Sequence, residues 1–325
     1  MSESAAIASD SMVLPTVSVV IPIYNGEADL PDLLACLRSQ TYPTDQVEYL
    51  LVDNNSCDRT AALLQDAATT ATATGLTIRL LSETQIQSAY AARNTGIRAA
   101  TGEIVAFTDM DCRPCPTWLA ELMQPFAEGK VGLVAGEILA LPGNTLLEQH
   151  AERGETLSQK HTLGHSFLPY GQTANLAVRR EIFHQVGMFR PYLNTGGDAD
   201  MCWRIQQGTD WQIQFAESAI VQHRHRATLE ELRKQWQRYG RSNRYLHELH
   251  GVPLMRDVSV REIVYRMARW LLKELPVASL RAIAGKATLV DLLNTPIGLF
   301  SVQARSKGQR TAQLPEQARE IAKLD

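Results

Sequence analysis

Apolar positions along this chain follow two alternating patterns: short unbroken runs, and stripes repeated every three or four residues. Val17 to Tyr24, VSVVIPIY, is a β-branched run stopped by Asn25-Gly26, and it predicts a strand buried on both faces. Leu30, Leu33, Leu34 and Leu37 then recur at helical spacing, with Asp29 as a candidate N-cap and Pro31 tolerated in the first turn. Tyr49 to Val52 predicts a second strand, ending at Asp53-Asn54-Asn55. Asp58 opens an Ala/Thr-rich helix that stops before Gly75. Thr77 to Leu81 reads as a third strand. Gln87 to Ala100 reads as a third helix, closed by Gly102, which leads into the apolar run Ile104-Val105-Ala106-Phe107. Strands alternating with helices predict an α/β fold, a Rossmann-like and mostly parallel sheet with helices on both faces.

The pattern loosens in the second half. Thr117 to Phe126 predicts a helix and Val131 to Ile138 a strand, while Leu146 to Gly164 is polar and reads as a helix with a loop. Gln172 to Val178 predicts another strand, followed by a short helix and turn carrying Phe183, Val186 and Phe189. Gly196-Gly197 opens a helix containing Trp203 and Ile205. Trp211 to Phe215 and Ala219 to Gln222 read as two short strands, and the remainder is mostly helical.

Composition narrows the picture. An apolar fraction of 45% supports a sizeable core, and a net charge of −3 argues against nucleic acid as a partner of the whole chain. The first 15 residues lack the basic and apolar segments of a signal peptide and read as a flexible lead-in. The five cysteines are scattered, as in a protein of the reducing cytoplasm, and Cys112-x-x-Cys115 stands without a second ligand pair. No run reaches the roughly 18 apolar residues of a spanning helix.

The central run ends in Asp109-Met110-Asp111, with Pro114 as a turn breaker. Alternate residues of an extended segment face the same way, so the two carboxylates can converge on one cation. Hard oxygen ligands suit Mg²⁺ or Mn²⁺, ions that commonly hold substrate phosphates. A solvated Asp-rich turn is the competing reading, since Asp favours turns for local reasons. Asn25, Asp53 and Asp109 all close predicted strands, and ligands of open α/β sheets sit outside those ends, which favours a site.

Four stretches in order, VSVVIPIYNGE, VDNNSCDRT, AARNTGIRAATGEIVAFTDMDCRP and GGDADMCWR, resemble the family-2 glycosyltransferases, from about Val17 to about Tyr239. The resemblance implies the GT-A fold and an inverting, metal-dependent transfer of a sugar from a nucleotide-diphosphate donor to an acceptor hydroxyl, in glycan, glycolipid or polysaccharide biosynthesis. It implies that Pro22, Tyr24 and Glu27 line the nucleobase pocket, that Asp53 contacts the base and that Arg93 lies near the nucleotide. Asp109 and Asp111 match its D-x-D motif, the second ligating Mn²⁺ or Mg²⁺ and the first lying nearer the ribose. Asp198 matches the catalytic aspartate of its Glu-Asp motif. Gly197 stands where an acid is expected, so Asp200 is a second candidate for the base. Asn54 likewise follows Asp53 where a second Asp is common. Within His223-Arg224-His225-Arg226, the resemblance suggests His223 as a further metal ligand, against a plain charged strand edge. Gln235-x-x-Arg238-Tyr239 is similar to the Q-x-x-R-W motif of processive synthases, but those carry transmembrane helices. Transfer of a single sugar to a glycan or lipid-linked acceptor is therefore expected. A nucleotidyltransferase would show a Gly-rich basic loop where Asn25-Gly26-Glu27 stands. A non-catalytic nucleotide-sugar-binding protein has no need of Asp109, Asp111 and Asp198 together.

Four segments follow: a lead (1–15), a catalytic domain (16–250), a C-terminal helical appendage (251–305) and a polar tail (306–325). In the appendage Val260, Ile263, Val264, Met267 and Leu271 form one helical stripe flanked by Arg261, Arg266, Arg269 and Lys273. Pro276 is expected to end that helix, and Asp291 and Pro296 to break the next apolar stretch, Leu289 to Val302. Such a helix can pack on the catalytic domain or a second subunit, or lie peripherally on the inner face of a membrane.

Overall fold

The computed structural model describes residues 14–324, so the expected lead-in lies almost wholly outside the described residues. The first half follows the pattern. Strands β1 (Val17–Ile23), β2 (Val47–Asp53), β3 (Thr77–Ser82) and β4 (Ile104–Thr108) pair in parallel in the order β3-β2-β1-β4. Helices α1 (Leu30–Arg38), α2 (Thr60–Thr74) and α3 (Ala89–Ala99) make the crossovers. β1 is buried along its whole length, with Val19 and Ile21 in one apolar cluster and Val20 in the other. That two-sided burial is why its sequence is a continuous apolar run rather than an alternation. Glu48 is the exception within β2. Its carboxylate accepts hydrogen bonds from Ser18 Oγ and from the Thr101 N–H and Oγ, each at 2.7 Å, and pairs with Arg79, stitching β1, β2 and the end of α3 together.

The second half extends the sheet through β5 (Cys112–Pro114), β6 (Val131–Ala140), β7 (Asn175–Arg179) and β8 (Gln212–His223). The full order is β3-β2-β1-β4-β7-β6-β8-β5, with β7 antiparallel to both neighbours, β8 parallel to β6, and β5 antiparallel to β8. The two short strands expected at 211–215 and 219–222 are one strand, β8, bent at an irregularity opposite Gly136 and Glu137. Asn175 fills the bend, its Nδ2 donating to the carbonyls of Glu137 and Ala219 at 2.8 Å. Helices α4 (Trp118–Met123), α5 (Leu146–Arg153), α6 (Gln159–Leu163), α7 (Ile182–Val186) and α8 (Gly197–Gly208) fill the intervals.

The C-terminal region corrects several expectations. α9 (Leu229–His250) is followed by α10 (Val260–Arg269), a π turn at Trp270–Glu274, α11 (Leu275–Ile283) and α12 (Leu289–Thr311). Pro276 does not end the helical path. It sits in the first turn of α11, where a missing N–H costs least, and the π turn before it absorbs the change of register. α12 runs unbroken through Pro296, and Asp291 forms a capping box with Thr288 at its start. The polar tail expected at 306–325 is also corrected. α12 continues to Thr311, Ala312 and Ala318 are buried in the core, and the Met188 N–H donates to the Ala322 carbonyl at 2.7 Å. Asp29, expected to cap α1, makes no capping bond; its carboxylate pairs with Arg113 and Arg224 at 2.8 Å. Among the described residues no helix is long and apolar enough to cross a membrane.

Candidate active site

A cavity of about 560 Å³ opens at the carboxyl ends of β1 and β4, and α3, α8 and α9 supply its other walls. It brings together seven of the residues singled out from sequence: Pro22, Tyr24, Arg93, Asp109, Asp111, Asp198 and His223. Arg93 projects from α3 and is 4% exposed. One end of its guanidinium pairs with Asp109 at 2.5 Å, its plane lies 5.5 Å from the Tyr90 ring, and its Nε has no partner. Burial opposes the charge on Arg93, but the carboxylates of Asp109 and Asp198 outweigh it and hold the group above its ordinary range. A buried guanidinium with an unused N–H at a cavity wall is suited to an anionic ligand.

Asp111 and His223 meet because β5 pairs with β8, placing Cys112 opposite His223 in the register. His223 Nε2 lies 3.4 Å from Asp111 Oδ1, while its Nδ1 lies 2.7 Å from the Arg224 carbonyl. A carbonyl can only accept, so Nδ1 carries the proton, and Nε2 is the ring nitrogen that faces the carboxylate. With Nε2 free of a proton, the two groups fit a cation between them. The ligand atoms of Asp111, Cys112 and His223 all fall within 4.8 Å of one another. Of these, the oxygen and the imidazole suit Mn²⁺ or Mg²⁺. Cys112 is the poor ligand, because burial pushes its thiol well above the ordinary range. The remaining members of the basic tetrad are spread over other tasks. Arg224 pairs with Asp29, Arg226 lies 3.7 Å from Asp111, and burial, with His223 and Arg226 nearby, pushes His225 down to about 4.

Asp198 sits in the first turn of α8, with its Oδ1 accepting a hydrogen bond from Thr173 Oγ1 at 2.9 Å. Its position deep in the fold, reinforced by the charge of Asp109, raises its pKa against the opposing pull of Arg93 and Thr173. A raised carboxylate at a cavity wall is a stronger base than one in water. Two glycines bring it there. Gly196 has φ +79°, and a Cβ on Gly197 would lie 2.7 Å from the Tyr90 ring, whose hydroxyl accepts the Gly197 N–H at 3.0 Å. The departure at position 197 therefore has a steric reason: the Tyr90 ring occupies the space an acidic side chain would need.

Three sequence candidates lie elsewhere. Asp200 is fully buried and does not reach the cavity; it pairs with Arg190 and Arg204 at 3.0 Å and with His250 at 2.9 Å. Enclosed by two guanidiniums and an imidazole, and away from the cavity, it cannot share the role of base, which corrects that expectation. Glu27 turns away from the expected nucleobase pocket to clamp Arg59 at 2.6 Å, tying the loop after β1 to the start of α2. Asp53 does not line the wall, because its carboxylate accepts the Ser56 N–H at 3.2 Å in a local turn; its neighbour Asn54 takes the lining position instead. Sequence reasoning passed over Tyr90, Thr173 and Ser242. Arg238 and Tyr239, noticed only for their likeness to a synthase motif, also line the cavity, and Gln235 donates to the Tyr239 hydroxyl at 3.0 Å.

Comparison with known proteins bears on this arrangement. The family model "Glycosyl transferase family 2" matches residues 18–195, the span from β1 to the entrance of α8. A glycosyltransferase of Haloferax volcanii, AglE, is 32% identical over 262 residues, 80% of this chain and 81% of its own. The pre-mycofactocin glycosyltransferase of Mycobacterium tuberculosis is 31% identical over 224 residues, 66% of this chain but only 44% of its own length. Among solved structures, the mannosyltransferase PcManGT of Pyrobaculum calidifontis, in complex with GDP-Man and Mn²⁺, shares the fold with a TM-score of 0.62 at 20% identity, covering 91% of this chain and 88% of its own. The same fold thus recurs at a distance where little of the sequence survives. This chain has the GT-A fold, belongs to glycosyl transferase family 2, and is a glycosyltransferase.

Proposed function

We propose that the cavity binds a nucleoside-diphosphate sugar with a divalent cation and transfers the sugar to an acceptor hydroxyl with inversion. The observation that carries this reading is the convergence of the Arg93–Asp109 pair, the facing Asp111 and His223, and the raised carboxylate of Asp198 in one cavity. Arg93 offers its unpartnered Nε to the diphosphate, and Asp109 fixes the guanidinium in that orientation. Asp111 and His223 would hold the cation, which would supply positive charge to offset that developing on the departing nucleoside diphosphate. Asp198 accepts the acceptor hydroxyl's proton while Thr173 orients its carboxylate. A single displacement of this kind inverts the anomeric centre. The Mn²⁺ and nucleotide sugar named with PcManGT agree with this reading.

The test is nucleoside diphosphate release from a panel of nucleotide sugars, with and without Mn²⁺, beside thermal shifts for the same ligands. A ligand at about 100 times its Kd stabilises by roughly 2.7 kcal/mol, so donor binding is readable without the acceptor. Asp111→Ala is expected to abolish the Mn²⁺-dependent part of that shift while leaving the unliganded melting temperature in place. Unchanged Mn²⁺ dependence in Asp111→Ala would remove the cation from this end of β4.

A further inference from the structure

Helices α10 and α11 present an apolar face that nothing among the described residues covers. Val260 is 77% exposed, Leu272 78% and Ile283 85%, with Val264, Leu271 and Leu280 each above half. This face is distinct from the one that packs. Ile263, Met267 and Trp270 are partly buried, and the Trp270 Nε1 donates to the Leu292 carbonyl of α12 at 2.7 Å. Packing on α12 therefore uses one stripe of the helix and leaves a second outside. Residues of this type at helical spacing are ordinarily turned inwards.

Charge decides what fits the face. Residues 260–286 carry six basic and two acidic side chains, net +4 in a chain whose net charge is −3. Both acids are already engaged, Glu262 by Arg256 and Glu274 by Arg269. Arg261, Lys273, Arg281 and Lys286 have no acidic partner among the described residues. A second copy of the chain would set this cationic face against another like it, and like charges oppose such a pairing. An anionic bilayer meets both demands at once: aliphatic side chains enter the acyl boundary, and Arg and Lys stems carry their charges up to the lipid phosphates.

We infer that the α10–α11 face docks the enzyme on an anionic lipid surface. The docked face is tied to the catalytic cavity through two helix layers. α10 and α11 rest on α12, α12 rests on α9, and α9 supplies Arg238, Tyr239 and Ser242 to the cavity wall. Between those layers the Trp236 ring packs edge-on against Tyr239 at 5.5 Å.

The experiment is co-sedimentation of the full chain with phosphatidylcholine vesicles and with vesicles that also contain phosphatidylglycerol. Sedimentation with the anionic vesicles alone is expected, with release by salt as the Debye length falls from about 10 Å at 0.1 M to about 3 Å at 1 M. Leu272→Glu and Ile283→Glu, at exposed positions, are expected to weaken partition at least about tenfold. Lys273→Gln combined with Arg281→Gln should cost about fivefold per charge removed. Mn²⁺-dependent donor binding should be unchanged in all of these variants, since none touches the cavity. Loss of donor binding in the wild-type chain would count against the catalytic reading and not against this one. Equal partition onto neutral and anionic vesicles, no partition onto either, or full binding by Leu272→Glu would overturn the inference. So would a dimer that Leu272→Glu dissolves in a protein that ignores vesicles.

Discussion

Asp198 and Asp200 share the first turns of α8 and differ in what surrounds them. Asp198 meets the cavity with one hydroxyl on it, while Asp200 lies among two guanidiniums and an imidazole. The first environment raises the pKa through burial. The second, although burial opposes it, pulls Asp200 down to about 2 through His250, Arg204 and Arg190. In the proposed reaction a base must hold a proton during turnover, and of the two carboxylates it is Asp198 that lines the cavity with a raised pKa. Asp198→Asn is expected to lower kcat by about 10²–10⁴-fold with donor affinity retained, whereas Asp200→Asn keeps its rate per folded molecule. The pH profile offers a separate check. As the proposed base, Asp198 must be ionised to act, so activity is expected to fall as pH drops through its raised pKa, with the acid limb of kcat/KM above the ordinary 3.8 and absent from the residual rate of Asp198→Asn. An acid limb at or below 3.8 would assign the base elsewhere.

At the scale of elements, α9 and α12 meet through glycine. A Cβ on Gly240 would lie 1.9 Å from the Arg305 carbonyl oxygen, and one on Gly308 would lie 2.1 Å from that of Gln237. Both obstacles are backbone, which cannot rotate aside. Gly308→Ala is therefore expected to destabilise the fold by about 1–3 kcal/mol, read as a lower melting temperature, although alanine is the better helix former. An unchanged melting temperature would mean that the two helices separate easily. Contacts of this kind explain what could and could not be read from the sequence. β1, β2 and β4 were legible because their own apolar runs record burial on both faces, and β3, the half-exposed edge strand, from its place in the alternation of strands and helices. β5 was not, since three residues carry no period and only pairing with β8 makes them a strand. Seven residues that line the cavity were legible because they stand at strand ends and in motifs. Glu27, Asp53 and Asp200 were misplaced because Arg59, Ser56 and Arg190, partners chosen by the fold, turn their carboxylates away. The tail read as polar because its few apolar residues, among them Ala312 and Ala318, find their core only in three dimensions.

Across the whole molecule Asp200 is where distant parts of the chain converge. Arg190 follows the strand-and-helix layer of β7 and α7, Arg204 lies within α8, and His250 ends α9. Arg190 also donates to the Arg319 carbonyl of the C-terminal segment. One buried carboxylate thus joins α8, the end of α9 and the end of the chain. Its depressed pKa makes that junction dependent on pH. The folded value is near 2 against an ordinary 3.8, so the stabilisation is fully present above about pH 4 and is lost as pH falls towards 2. A shift of this size corresponds to about 2 kcal/mol. Asp200→Asn removes the charge and leaves two buried guanidiniums without their partner, at a cost of about 3–5 kcal/mol near neutrality. The melting temperatures of wild type and Asp200→Asn should therefore differ most above pH 4 and draw together as the wild-type carboxylate protonates. Limited proteolysis of the segment after Thr311 should become faster in the variant at neutral pH, because Arg190 then lacks the carboxylate that aims it at the tail. A constant difference in melting temperature from pH 7 down to pH 2 would show that the charge of Asp200 is not what holds these parts together.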